Sequence, residues 1–98
     1  MRNKQEYILC AAIYYNTIYS YVHQPKNIQT GYVMCGRRHH NCISLNAVLT
    51  ERKTTEKNIQ GFLTSQDRFV DRKEAADIAY KAGQIKEITD CLISEDIY

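Results

Sequence analysis

The sequence predicts an α+β fold, a small antiparallel sheet with two helices packed on it that assembles as a homo-oligomer. Three observations lead there. Short runs rich in Tyr, Ile and Val follow one another closely near the N-terminus, as hairpin-connected strands do. Apolar residues then change to helical spacing after Gly36, and a second helix carries its own start and stop signals after Val70. Finally, 98 residues make one domain, 1–98, with a core small enough that self-association is a source of extra stability.

Each element has its own signal. Tyr7 to Tyr15 is apolar on both alternating faces, which suits a strand covered on both sides. Asn16-Thr17 is a candidate turn, and Ile18 to Val22 is expected to return as the next strand. Pro25 has no amide hydrogen for a ladder, so His23 to Asn27 is a loop. Gly31 to Cys35 is a third strand, ended by Gly36. Cys42, Leu45, Val48 and Leu49 predict a helix from His40 to about Thr50. Glu51 to Lys57 is a charged loop, Ile59 to Thr64 a strand, and Ser65-Gln66-Asp67 a turn. Asp71-Arg72-Lys73-Glu74 fits a capping box, Ala75, Ile78, Ala79 and Ala82 share a face, and Gly83 sits where a left-handed cap belongs. The tail from Cys91 to Tyr98 is expected to add a short edge strand.

Composition narrows the function. Thirteen Lys and Arg against eleven Asp and Glu give a net charge of only +2, too little for general DNA binding. No segment is long and apolar enough to cross a membrane, and Met1 to Glu6 is polar, which leads to an expected cytoplasmic protein with its four cysteines reduced.

Chemistry concentrates in two places. Gly36-Arg37-Arg38-His39-His40-Asn41 lies between a strand and a helix start, where free amides and two guanidinium forks suit a phosphate. The plainer alternative is a solvated basic turn. Cys35, His39, His40 and Cys42 are zinc-ligand types, but no second knuckle accompanies them, so no metal is expected. A Cys–His catalytic pair would need a third orienting group, and the acidic ligands of His-His-Asn nucleases are missing. The second place is Gly61 to Ser65 with Arg68 to Arg72. Phe62 can stack on a base, Thr64 and Ser65 can bond to phosphate or ribose oxygens, and Arg68 and Arg72 flank another helix start. Phe62 and Phe69 fit equally as core, and Asp71 has a capping role.

The segments Tyr21 to Ile28, Gly36 to Cys42, Gln60 to Ser65, Arg68 to Ala75 with Ala82-Gly83-Gln84, and Ser94 to Tyr98 together resemble the small phage proteins of the Thoeris anti-defence 1 family. The resemblance spans about Ala11 to Tyr98. It implies a non-enzymatic sponge, without cofactor, that captures cyclic ADP-ribose isomers in the cytoplasm of an infected bacterium. It also implies homodimers with ligand sites at the interface, hexamers in some members, and further sites for cyclic di- or trinucleotides of CBASS defence. On that pattern Arg37 and Arg38, with His39 beside them, meet the pyrophosphate, Phe62 the base, and Thr64, Ser65 and Asp71 the ribose hydroxyls, while Arg68 or Arg72 adds a second clamp. A further arginine expected nearer the C-terminus is absent; Lys81 and Lys86 stand in that region as point charges without a planar fork. Glu51 to Lys57 and Ile85 to Cys91 match nothing in that pattern. The competing expectation is a protein-binding inhibitor of a host factor acting through the Tyr-rich strands.

Overall fold

A computed structural model describes residues 5–49 and 58–97. Strand β1 (Ile8–Tyr15) is central. It pairs antiparallel with β2 (Tyr32–Gly36) on one side and β3 (Asn58–Thr64) on the other, and β4 (Phe69–Asp71) pairs with β3, giving the order β2-β1-β3-β4. Helix α1 (His39–Leu49) follows β2 and helix α2 (Arg72–Lys81) follows β4. A short 3-10 turn, Ser94–Asp96, ends the described chain. The α+β expectation holds. The Glu51 to Lys57 loop and the predicted helix end at Thr50 lie outside the described residues.

Both helices cover the same face of the sheet. Ala11, Ile13 and Tyr15 alternate along β1, so they share a face. Ala11 packs with Ile8, Phe62, Val70 and the α2 residues Ala75, Ala76, Ile78 and Ala79, whereas Ile13 and Tyr15 pack with Cys42 of α1. The register explains where the helices meet. Gly36, Ala11, Phe62 and Val70 form one row across all four strands. Helix α1 starts just after Gly36 and α2 just after Val70 and Asp71, so both helix starts lie near this row.

Helix α2 forms where its signals place it. Asp71 Oδ1 accepts from the Glu74 amide at 2.8 Å, and the Glu74 carboxylate turns to Arg68 at 3.2 Å. Gly83, at φ +76°, sends its amide to the Tyr80 carbonyl, and Gln84 sends its own to Ala79, which is a Schellman ending. The chain then uses Gln84 again. Its side-chain amide accepts from Ile8 N at 2.7 Å and donates to Ile8 O at 2.9 Å, satisfying β1 beside a bulge between Ile8 and Cys10. Gly61 admits no side chain, because a Cβ there would lie 2.0 Å from the Val70 carbonyl oxygen.

Three sequence expectations are corrected. Ile18 to Val22 is not a strand. Both edges of β1 are taken by β2 and β3, and the Tyr15–Tyr32 stack, with centroids 5.2 Å apart, favours residue 32 as the partner of residue 15. The connection therefore runs from 16 to 31, leaving Ile18 and Val22 exposed. The tail forms a 3-10 turn instead of an edge strand, because buried Leu92 anchors it in the α2 core and its amide donates to Arg72 O. Phe69 to Asp71, read only as part of a binding segment, is strand β4; Asn27 accepts from Phe69 N and donates to Phe69 O, acting as a fifth strand's backbone at that edge.

Candidate functional site

The predicted site residues separate into two groups. Arg38, His39 and Arg72 converge where the two helices begin. Arg38 Nη1 lies 3.1 Å from Glu95 Oε1, bringing the C-terminal turn onto the start of α1. Arg72 Nη2 donates to Gln60 Oε1 at 2.5 Å, and its buried Nε has no hydrogen-bond partner among the described residues. His39 is buried, packs edge-on against Phe62 with centroids 5.1 Å apart, and donates from Nε2 to the Gly61 carbonyl at 2.7 Å. Arg37 follows β2 directly and is exposed.

The local sequence builds this geometry. Arg38 stands just before α1; its carbonyl takes the Asn41 amide, and its amide donates to Asn41 Oδ1 at 3.1 Å. The first turn of α1 holds no acid. The acid that meets this helix start, through Arg38, comes from elsewhere in the chain: Glu95. Partial desolvation raises the Glu95 carboxyl, but its backbone amide, the Ser94 hydroxyl and Arg38 outweigh that and hold it below the ordinary range. Desolvation lowers the His39 value; the bond to Gly61 opposes it, and the Arg72 charge adds to it. Neutral imidazole is the resting form near pH 7.

The second group is committed to structure. Phe62 is fully buried in the α2 core, so it offers no face to a base, which corrects the expectation placed on it. Thr64 is buried as well; its hydroxyl donates to Glu6 Oε2 at 2.6 Å and accepts from the Gln66 amide. Ser65 Oγ accepts from Tyr7 N at 3.0 Å and its amide donates to Tyr7 O. Arg68 grips Glu6 through two hydrogen bonds, at 2.9 and 2.8 Å, and reaches Glu74. The Arg68 bonds hold the Glu6 carboxyl below its ordinary range against the opposing effect of burial. Asp71 caps α2. These five residues tie the N-terminus, the β3–β4 hairpin and α2 together, and of them Phe62 touches the first group, through its edge-on packing with His39.

Sequence reading missed Glu95, Gln60 and Glu6. Ser94-Glu95-Asp96 did carry a signal, two adjacent acids shortly after an apolar pair. Glu6 gave none, because its partner is 62 positions away. Among the described residues no group of three or more His, Cys, Asp or Glu is placed to hold a metal, and no helix is long and apolar enough to cross a membrane.

Comparison with curated proteins finds no match, and neither does comparison with solved structures. The family model of the phage T4 y16D protein matches residues 7–98, nearly the whole chain, and the chain belongs to that family.

Proposed function

We propose that this phage-family protein captures an anionic cyclic nucleotide of the cyclic ADP-ribose type at the junction of its two helix starts, without cleaving it. One observation carries the reading. Arg38, His39 and Arg72 converge there, and the group already held among them is a carboxylate, that of Glu95. A site that holds an internal anion is chemically suited to hold a phosphate, and Glu95 itself, whose side chain is 64% exposed, has a path out.

The pyrophosphate would replace Glu95 on Arg38, with Arg37 as the second fork. With Phe62 in the core, the base is left to the exposed ring of His40. The resemblance to Thoeris anti-defence 1 proteins supports the sponge reading and the placement in an infected bacterial cytoplasm. Helix α1 supports assembly as a homodimer or hexamer: it has no Asp, Glu, Lys or Arg along its length and exposes Ile43 and Leu45.

The test is capture and release. Purified protein is mixed with 1″–2′ or 1″–3′ cyclic ADP-ribose, or with cyclic di- or trinucleotides, then desalted and heated, and the supernatant is chromatographed. Intact nucleotide from the native protein, and its loss in Arg38→Ala, is the expected result. A converted product would make the protein an enzyme, and an empty supernatant would overturn capture.

One observation favours the second reading, a protein-binding inhibitor. Ile18, Tyr19, Tyr21 and Val22 are exposed together in the 16–31 connection. An empty supernatant combined with a stable complex from host lysate would support it.

A further inference from the structure

Cys10 and Cys35 stand on adjacent strands, and the β1–β2 register sets Cys35 opposite Ala12, two positions along from Cys10 and on the same face. The two thiols lie within interaction range of each other. Cys35 is exposed and Cys10 is partly so, which lets a small reagent reach the pair. Diagonal neighbours lie at the outer limit for a disulfide, roughly 7–8 Å between Cα atoms, so closing the bond has to draw β2 toward β1. The other two cysteines are placed differently. Cys42, on α1, is buried with its thiol directed to the Ala11 and Arg38 carbonyls, and Cys91 is exposed in the C-terminal segment.

We propose that Cys10 and Cys35 form a redox-active dithiol, a modification site that a peroxide closes to an intramolecular disulfide. The Cys35 thiol, opposed by burial, holds the Cys10 thiol down at about 7, whereas Cys35 is pushed up by Cys10. Cys10 is therefore the attacking thiolate and Cys35 the resolving thiol. In the first step Cys10 sulfur attacks one peroxide oxygen, the O–O bond breaks, and hydroxide leaves, giving a sulfenic acid at Cys10. In the second, Cys35 sulfur attacks Cys10 sulfur, the S–O bond breaks, and water leaves with the Cys35 proton. Two electrons pass from the sulfurs to the peroxide. The new bond would pin the chain immediately before Gly36, Arg37 and Arg38, although the chemistry does not depend on any ligand there.

Hydrogen peroxide on the native protein, followed by iodoacetamide and trypsin without reductant, tests this. Cleavage after Lys26, Arg37 and Lys86 places Cys10, Cys35, Cys42 and Cys91 on four separate peptides. The expected product joins peptide 5–26 to peptide 27–37, forming about tenfold faster than Cys91 oxidises. Singly alkylated Cys10 and Cys35 at doses that oxidise Cys91 would overturn the proposal, as would linkage of Cys35 to Cys42 or Cys91. In Cys35→Ser the sulfenic acid has no resolving thiol, so dimedone should label Cys10. An unlabelled Cys10 in that variant, with an unchanged circular dichroism spectrum, would overturn Cys10 as the attacking thiol.

Discussion

Around α2, Ile8, Ala11, Phe62 and Val70 of the sheet and Leu92 of the C-terminal segment are buried against a helix with complete caps, while around α1 the buried cluster is Ile13 and Tyr15 of the sheet with Cys42 of the helix. The two helices differ in the same sense. Helix α2 buries four residues along one stripe and faces solvent with Lys73, Glu74, Asp77 and Lys81. Helix α1 carries no Asp, Glu, Lys or Arg and exposes Ile43 and Leu45. The α2 half closes on itself, and the α1 half leaves surface and charge for something else. The junction between them is where the proposed anion site lies.

The largest expected effect comes from attacking the closed half. Phe62→Ala should cost roughly 3–5 kcal/mol, measured by urea unfolding, because it empties the largest fully buried side chain in the α2 core. Ile13→Ala in the α1 half provides the matching measurement, and a cost equal to or above that of Phe62→Ala would break the comparison.

Next is the tie between the N-terminus and the β3–β4 hairpin. Glu6→Gln should cost about 2 kcal/mol, since Arg68 and Thr64 both lose a charged partner. Acid separates the two halves through their titrating groups. The folded His39 value is depressed, so the unfolded chain binds the extra proton first, and stability starts to fall as pH drops below the ordinary 6.5. The Glu6 value is depressed too; its contribution is complete above 4.5 and is lost as pH falls through the folded value. Stability followed against pH should therefore decline in two stages. His39→Gln should flatten the upper stage and Glu6→Gln the lower. An upper stage unchanged in His39→Gln would contradict the assignment.

A smaller loss, about 1 kcal/mol, is expected for Asp71→Ala, which removes the α2 cap and is measured by the same unfolding curve. Arg38→Ala should abolish nucleotide capture and change stability less than Asp71→Ala does, because its partner Glu95 is mostly exposed. Equal losses of stability and binding would make Arg38 structural and blur the contrast.

The sequence made the α2 half legible because its signals are local. Asp71 and Gly83 act within a turn of their own helix, and the alternation of β1 survives from Ala11 to Tyr15, beyond the bulge that brings Ile8 in beside Ala11. What it hid is non-local. Gln84 on Ile8, Asn27 on Phe69 and Glu6 on Arg68 are pairs that no window of sequence brings together. Ile18 to Val22 has strand composition, but strand choice is settled by which edge of β1 is open, and none was. The site was half legible. Arg38, His39 and Arg72 meet, whereas Phe62 is drawn into the core by the same aromatic character that suggested stacking.

The most direct test of the central claim is a backbone amide spectrum of the labelled protein titrated with cyclic ADP-ribose isomers. The account predicts shifts gathered at Gly36 to Asn41, at Arg72 and at Ser94 to Asp96, with Ile18 to Val22 and the Glu6–Arg68 region unmoved. A spectrum that stays still at saturating nucleotide, or that moves only at Ile18 to Val22, would contradict it.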